Sequence, residues 1–189
     1  MRKLVASISL LLSATCLFAQ EGLEFNHSLG GKYFGYAKSD GVSSTTLLYS
    51  PRLNVSTAEN SAISVGTHLA LGFSLYSGPM GSSTSFVYDL PIVCEYNLGF
   101  GSSKDNESGF GGYAGAGYGL HHLSIKEDGY GGSATLHGPV FTGGFRFNAG
   151  IIGALEIGAS YMIDLKSKDQ KTNIFGISLS YLFGMSRNY

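Results

Sequence analysis

Charge is scarce in this 189-residue chain. Lys and Arg total 12 and Asp and Glu 13, together 13% of the residues, about half the ~25% of ordinary soluble domains. A formal net charge of -1 leaves no basic face for a nucleic acid, so no such partner is expected. Disorder is excluded too, because a disordered chain is highly charged and poor in hydrophobic residues. Tryptophan is absent and cysteine occurs twice. Beyond the first 19 residues, no window holds the 18 or more apolar residues that a membrane helix needs. What the chain has instead is 28 Gly, 12 Tyr, 12 Phe and 43% hydrophobic residues. The glycine share is about twice the usual ~7%, without a collagen period. One β-rich domain is expected at this length.

The N-terminus reads as a secretory leader. Arg2 and Lys3 form a short basic start, residues 4–12 are apolar, and Ala19 precedes the expected cut. Residues 1–19 are therefore the signal peptide and 20–189 the mature domain. A competing reading makes Cys16 a lipid acceptor, but Thr15 before it fits poorly. Cleavage removes Arg2, Lys3 and Cys16, leaving 10 basic against 13 acidic residues, a net -3, with Cys94 as the one remaining cysteine. An exported chain with a single cysteine has no internal disulfide.

From Leu23 to Phe183 the chain alternates with a period of two, broken by clusters of Gly, Ser, Asn and Asp. Ile63, Val65, Leu69, Leu71 and Phe73 oppose Ser64, Gly66, His68, Ala70 and Gly72; Leu155, Ile157 and Tyr161 oppose Glu156, Gly158 and Ser160. Eight strands follow, over residues 23–37, 45–56, 61–76, 86–100, 110–122, 136–147, 154–164 and 173–183. The polar face is mostly small residues, which suits a narrow barrel filled by side chains. The apolar face is large and runs nine to eleven positions per strand, enough to cross a bilayer at the usual tilt. Closure satisfies every edge, as a membrane demands. The expected fold is all-β: an eight-stranded antiparallel transmembrane up-and-down β-barrel in an outer membrane. A soluble exported barrel is the alternative. With a periplasmic N-terminus, residues 57–60, 101–109 and 148–150 are inward turns and 38–43, 77–85, 123–133 and 166–172 outward loops. The turn at 101–109 is long for its place, and Pro91 inside a strand is read as a local bulge.

The segment 175–183 (FGISLSYLF) places Phe175, Ile177, Leu179, Tyr181 and Phe183 at alternate positions. It resembles the C-terminal assembly signal of bacterial outer-membrane barrels, with a tail at 184–189 as a departure. Residues 88–99 (YDLPIVCEYNLG) and 110–117 (FGGYAGAG) are similar to strands of the small outer membrane protein β-barrel domain (porin-like) family. The resemblance implies a Gram-negative cell envelope, outer-membrane lipid and the barrel assembly machinery as partners. It implies no catalytic residue.

The inward parity collects Arg52, Asp89, Glu95, Arg146, Glu156 and Asp164, with Lys32 and His68 as possible additions. A dry interior cannot hold these charges singly. The expectation is a packed polar lumen of ion pairs rather than a gated conduit for ions or solutes. His121 and His122 point to opposite faces, whereas His122 and His137 share the outward one, and two ligands fall short of an ordinary metal site. His122 and Ser124 also share a face, as in a lipid A deacylase barrel, but the facing segment 134–146 offers no carboxylate to orient the histidine. The glycine run 111–119 has no helix after it to complete a phosphate cradle. The expected protein is non-enzymatic, without cofactor or metal, with a structural or surface-interaction role. Loops 77–85 and 123–133 would meet any extracellular ligand.

Overall fold

The computed structural model describes residues 23–37, 43–78, 81–103, 106–127, 130–150, 153–165 and 172–183. The leader at 1–19 and the tail at 184–189 lie outside them. The described residues are all-β. The strands are β1 (Leu23–Tyr36), β2 (Ser43–Ala58), β3 (Ser61–Thr67), β4 (Leu69–Gly78), β5 (Gly81–Gly99), β6 (Phe110–Glu127), β7 (Tyr130–Asn148), β8 (Ala154–Met162) and β9 (Ile174–Phe183). Each pairs antiparallel with its neighbours, and β9 closes on β1 from His27↔Phe183 to Tyr36↔Ile174. Because β3 and β4 are halves of one strand, interrupted at His68, the ring has eight staves.

Two prolines cause that interruption. β5 pairs Ile92 with Thr67 and Asp89 with Ala70, so the register sets Pro91 against His68. On the other side β2 pairs Arg52 with Gly66 and Tyr49 with Leu69, which sets Pro51 against Thr67. Neither proline has an N–H to give the ladder. The expected bulge at Pro91 is thus corrected: β5 runs past it in unbroken register with β6, Pro91 opposite Gly119. The missing donor instead breaks the neighbouring strand.

Polarity is inverted relative to a soluble domain. Ile92 is 66% exposed, Phe73 63% and Leu47 62%, whereas Arg146 and Glu156 are each 1% exposed. Such an exterior suits hydrocarbon, where large apolar side chains cost nothing to expose.

Strand lengths differ around the ring. β8 and β9 have 9 and 10 residues; β5, β6 and β7 have 19, 18 and 19. The segments expected as outer loops, 77–85 and 123–133, are in large part hairpin arms. β4 and β5 pair to Gly78↔Gly81, and β6 and β7 pair to Glu127↔Tyr130. Where both strand faces meet water the apolar alternation vanishes, so Ser- and Gly-rich arms read as loop although their ladder bonds are complete. We call this the far end. The near end holds Leu23, Phe183 and the turns following β2, β5 and β7.

Candidate functional site

Inward side chains form layers along the barrel axis. Toward the far end Phe34, Tyr36, Leu48, Val140, Met162 and Ile174 pack with Ala70 into an apolar cluster, and Leu123 and Leu136 pack against it. At the near end Phe100, Ala154 and Leu182 form a smaller one. Charged and hydrogen-bonding groups fill the space between.

Arg146 is the hub of the nearer charged group. Its Nε donates to Glu156 Oε2 at 2.6 Å and its Nη1 to Asn97 Oδ1 at 2.6 Å. Its guanidinium lies 4.3 Å from the Tyr113 ring centre. Arg52 Nη2 reaches the same Glu156 Oε2 at 2.7 Å and also donates to Ser28 Oγ. Glu95 accepts from Thr142 Oγ1 at 2.9 Å, meets His68 Nε2 at 2.8 Å, and stands 3.9 Å from Arg52 Nη1 and 4.0 Å from Arg146 Nη2. His68 Nδ1 pairs with Ser50 Oγ at 2.9 Å. Two guanidinium groups and two carboxylates thus share one desolvated layer, the arrangement in which the Coulomb attraction can offset dehydration.

A second group lies toward the far end. Asp89 joins Lys32 Nζ at 3.0 Å and His121 Nδ1 at 3.2 Å, and His121 Nε2 meets the Tyr36 hydroxyl at 2.8 Å. Lys32 Nζ also sits 4.6 Å from the centre of the Phe34 ring. A cavity of about 10 Å³, room for a water molecule, lined by Lys32, His68, Tyr113, Thr142, Ser160 and Ser178 among others, lies where the two groups meet.

All eight residues assigned inward from sequence are buried: Arg52, Asp89, Glu95, Arg146, Glu156, Asp164, Lys32 and His68. The structure brings Arg52, Arg146, Glu95, Glu156 and His68 together and sets Lys32 with Asp89 apart; Asp164, at the far end of the β8 stave, is fully buried. Sequence reasoning placed Asn54 and Asn97 on the polar face without giving them a role, and passed over Tyr113, Tyr36 and the buried role of His121. Parity could have found them, since each shares a face with residues it did assign. Phe175, Ile177, Leu179, Tyr181 and Phe183 all stand on the exposed apolar face of β9.

The near mouth is occupied by the long turn after β5. It is a turn on the side expected, and its extra length folds into the mouth, where Phe100, Ser102, Ser103 and Asn106 are buried. Gly99 and Gly101 have φ of 68° and 87°, the left-handed region that glycine enters freely. Asn54 Nδ2 donates to the carbonyls of Gly101 and Ser102 at 3.1 and 3.0 Å. Ser102 is fully buried, and Asn106 Nδ2 bonds to Ser102 Oγ and Asn60 Oδ1. A Cβ on Gly101 would stand 2.7 Å from Arg146 Cδ. The turn thereby rests on the hub of the ion-pair layer.

The outward histidines do not converge. His122 is opposite Thr135 and His137 opposite Leu120, so the two are diagonal neighbours. His122 Nδ1 pairs with Thr135 Oγ1 at 2.8 Å and His137 Nδ1 with the Tyr118 hydroxyl at 2.6 Å. A neutral hydroxyl therefore stands at His122 Nδ1, the position where a Ser–His mechanism requires a carboxylate. No group of three or more candidate metal ligands occurs among the described residues.

A closed eight-stranded antiparallel ring with a polar interior and an apolar exterior defines the class: the fold is that of the small outer-membrane β-barrels. Comparison with solved structures agrees. Neisserial surface protein A aligns over 86% of this chain and 97% of its own with TM-score 0.53 and 16% identity. Ail, the attachment invasion locus protein of Yersinia pestis, aligns over 87% of this chain and 100% of its own, with TM-score 0.54 and 14% identity. A further structure of Ail, in complex with the heparin analogue sucrose octasulfate, aligns with TM-score 0.52 and 14% identity, over 86% of this chain and 99% of that one. No protein-family model matches the chain, and no curated protein is significantly similar to it.

Proposed function

We propose that the mature chain is a non-enzymatic integral protein of the outer membrane that displays a β-sheet beyond the lipid for contact with an extracellular partner. The length of β5, β6 and β7 carries this reading. A strand of 19 residues extends ~60 Å at ~3.3 Å per residue. Tilted at ~40°, it still rises ~45 Å, well past the ~25 Å apolar band of such barrels. The excess lies at the far end, where Thr84, Ser124, Ser133 and Thr135 replace the large apolar residues of the band. Rigid arms suit recognition, because ordering them on contact costs little entropy.

Supports for a structural rather than a conducting lumen are the buried ion-pair layer and the apolar clusters on either side of it. The test uses the protein in lipid nanodiscs, binding to cell surfaces and to a sulfated glycan, beside a variant whose 77–85 and 123–133 arms are replaced by tight turns. Loss of binding in a variant that remains a closed barrel is the expected result. Equal binding by both, or steady single-channel conductance of the unmodified protein, would overturn the reading.

A further inference from the structure

The outward face carries few groups that hydrocarbon would not hold. Among the described residues no Asp or Glu stands on it. Its basic groups are His27, His122, Lys126 and His137. Three of these four lie together toward the far end, on the adjacent strands β6 and β7. Below the histidines the face is apolar, with Leu90, Ile92 and Phe141 exposed; beyond them it carries Ser124, Ser133 and Thr84 beside Phe86. Tyr88 and Tyr118 mark the change, as aromatic residues do at the headgroup level.

The two imidazoles are held rather than free. His122 stacks on Tyr88 with centroids 5.0 Å apart and an 18° interplanar angle. His137 leans on Tyr118 at 6.0 Å. The Thr135 and Tyr118 hydroxyls each engage Nδ1, which turns Nε2 of both rings to the side away from the hydroxyl, and a protonated Nε2 there can donate to an anion. Their diagonal placement sets the two side chains ~7–8 Å apart. Lys126, exposed four residues further along β6, adds a flexible ammonium above them.

We infer that His122, His137 and Lys126 form a binding site for the phosphate of an anionic lipid in the outer leaflet. The inference rests on the membrane-spanning reading above. Charge complementarity carries it, since donors and a cation gather at the lipid–water boundary on a face without a described carboxylate. The occupant is a lipid rather than a free anion because the site opens sideways toward hydrocarbon, and a phosphate tethered to acyl chains arrives there already concentrated and oriented. Two or three charge-assisted hydrogen bonds are the contacts on offer.

The test compares the protein in vesicles of phosphatidylcholine alone and of phosphatidylcholine mixed with phosphorylated lipid A. Histidine side-chain NMR signals report each ring. The signals of His122 and His137 are expected to move with the phosphorylated lipid and that of His27, at the near end, to stay. Co-purification of that lipid should fall on the order of tenfold in His122→Gln/His137→Gln/Lys126→Gln, as expected for the loss of one charged hydrogen bond or more, and should be unchanged in His27→Gln. Unmoved signals, equal retention by the triple variant, or the same shifts with inorganic phosphate would overturn the site. Insertion is scored separately by vesicle flotation and by gel mobility before and after boiling. Failure to insert would refute the membrane reading itself, and the site with it.

Discussion

Replacing Arg146 with Met tests the interior most directly. Met approximates the length of the side chain while removing its charge and its donors. The substitution deletes two bonds of 2.6 Å, to Glu156 and Asn97, and the cation over Tyr113. It changes a layer of two arginines and two glutamates into one of one and two, with Arg52 as the guanidinium still on Glu156, at 2.7 Å. Breaking one partner of a buried pair costs about 3–5 kcal/mol, chiefly through the carboxylate left behind. That corresponds to about two to three and a half powers of ten in the unfolding equilibrium. Urea titration in lipid vesicles reads it through tyrosine fluorescence, since the chain has no tryptophan. Arg146→Met/Glu156→Gln restores the balance of one arginine to one glutamate and should recover ~1–2 kcal/mol of the loss, within the coupling range of contacting residues. A single variant that loses less than ~1 kcal/mol, or a double variant no more stable than the single, would refute the reasoning that an unbalanced buried charge dominates.

Three further outcomes follow from other parts of the barrel. In a Cys94→Ser background, Ser102→Cys should resist a membrane-impermeant maleimide and become reactive when Asn54→Ala removes both donors that hold the inserted turn; reactivity without the second change would mean that the turn is not seated. A Cβ at Gly30 would overlap the backbone of Leu179 and Ser180, so Gly30→Val should abolish the boiling-sensitive gel band by preventing closure of β1 on β9, whereas a normal band would contradict the seam. Ile177→Arg, 57% exposed at the wild-type position, should cost about 2–4 kcal/mol in vesicles as a charge in the lipid band, and a neutral result would favour a soluble barrel.

Much of the interior was legible because a strand has only two faces. Once Leu155, Ile157 and Tyr161 define one, Glu156 and Asp164 must occupy the other. Periodicity carries no information on which charges meet. That depends on register between strands such as β2 and β8, which are far apart in sequence. The inserted turn was illegible for the same reason: Asn54 and Arg146, which hold it, lie some 45 residues away on either side. The hairpin arms were missed because alternation records a difference between two faces, and Ser83–Ser85 and Ser133–Thr135 are small or polar on both. At Pro91 the local rule was applied to the wrong strand, since a lost donor is felt by the partner that needed it.

The turn held inside the near mouth also bears on how the barrel is made. It leaves β5 and re-enters at β6, yet it rests on Asn54 from β2 and Arg146 from β7, and Phe100 packs on Ala154 and Leu182 from β8 and β9. A finished ring of this width would not readily admit it. Because its partners come from β2, β7, β8 and β9, the turn is fully seated only when those staves are in place, so that closing the ring and completing the interior are coupled. Few of these contacts are local, which favours slow closure. Until then the ion-pair residues remain wet, and a half-built sheet has no reason to stay in lipid.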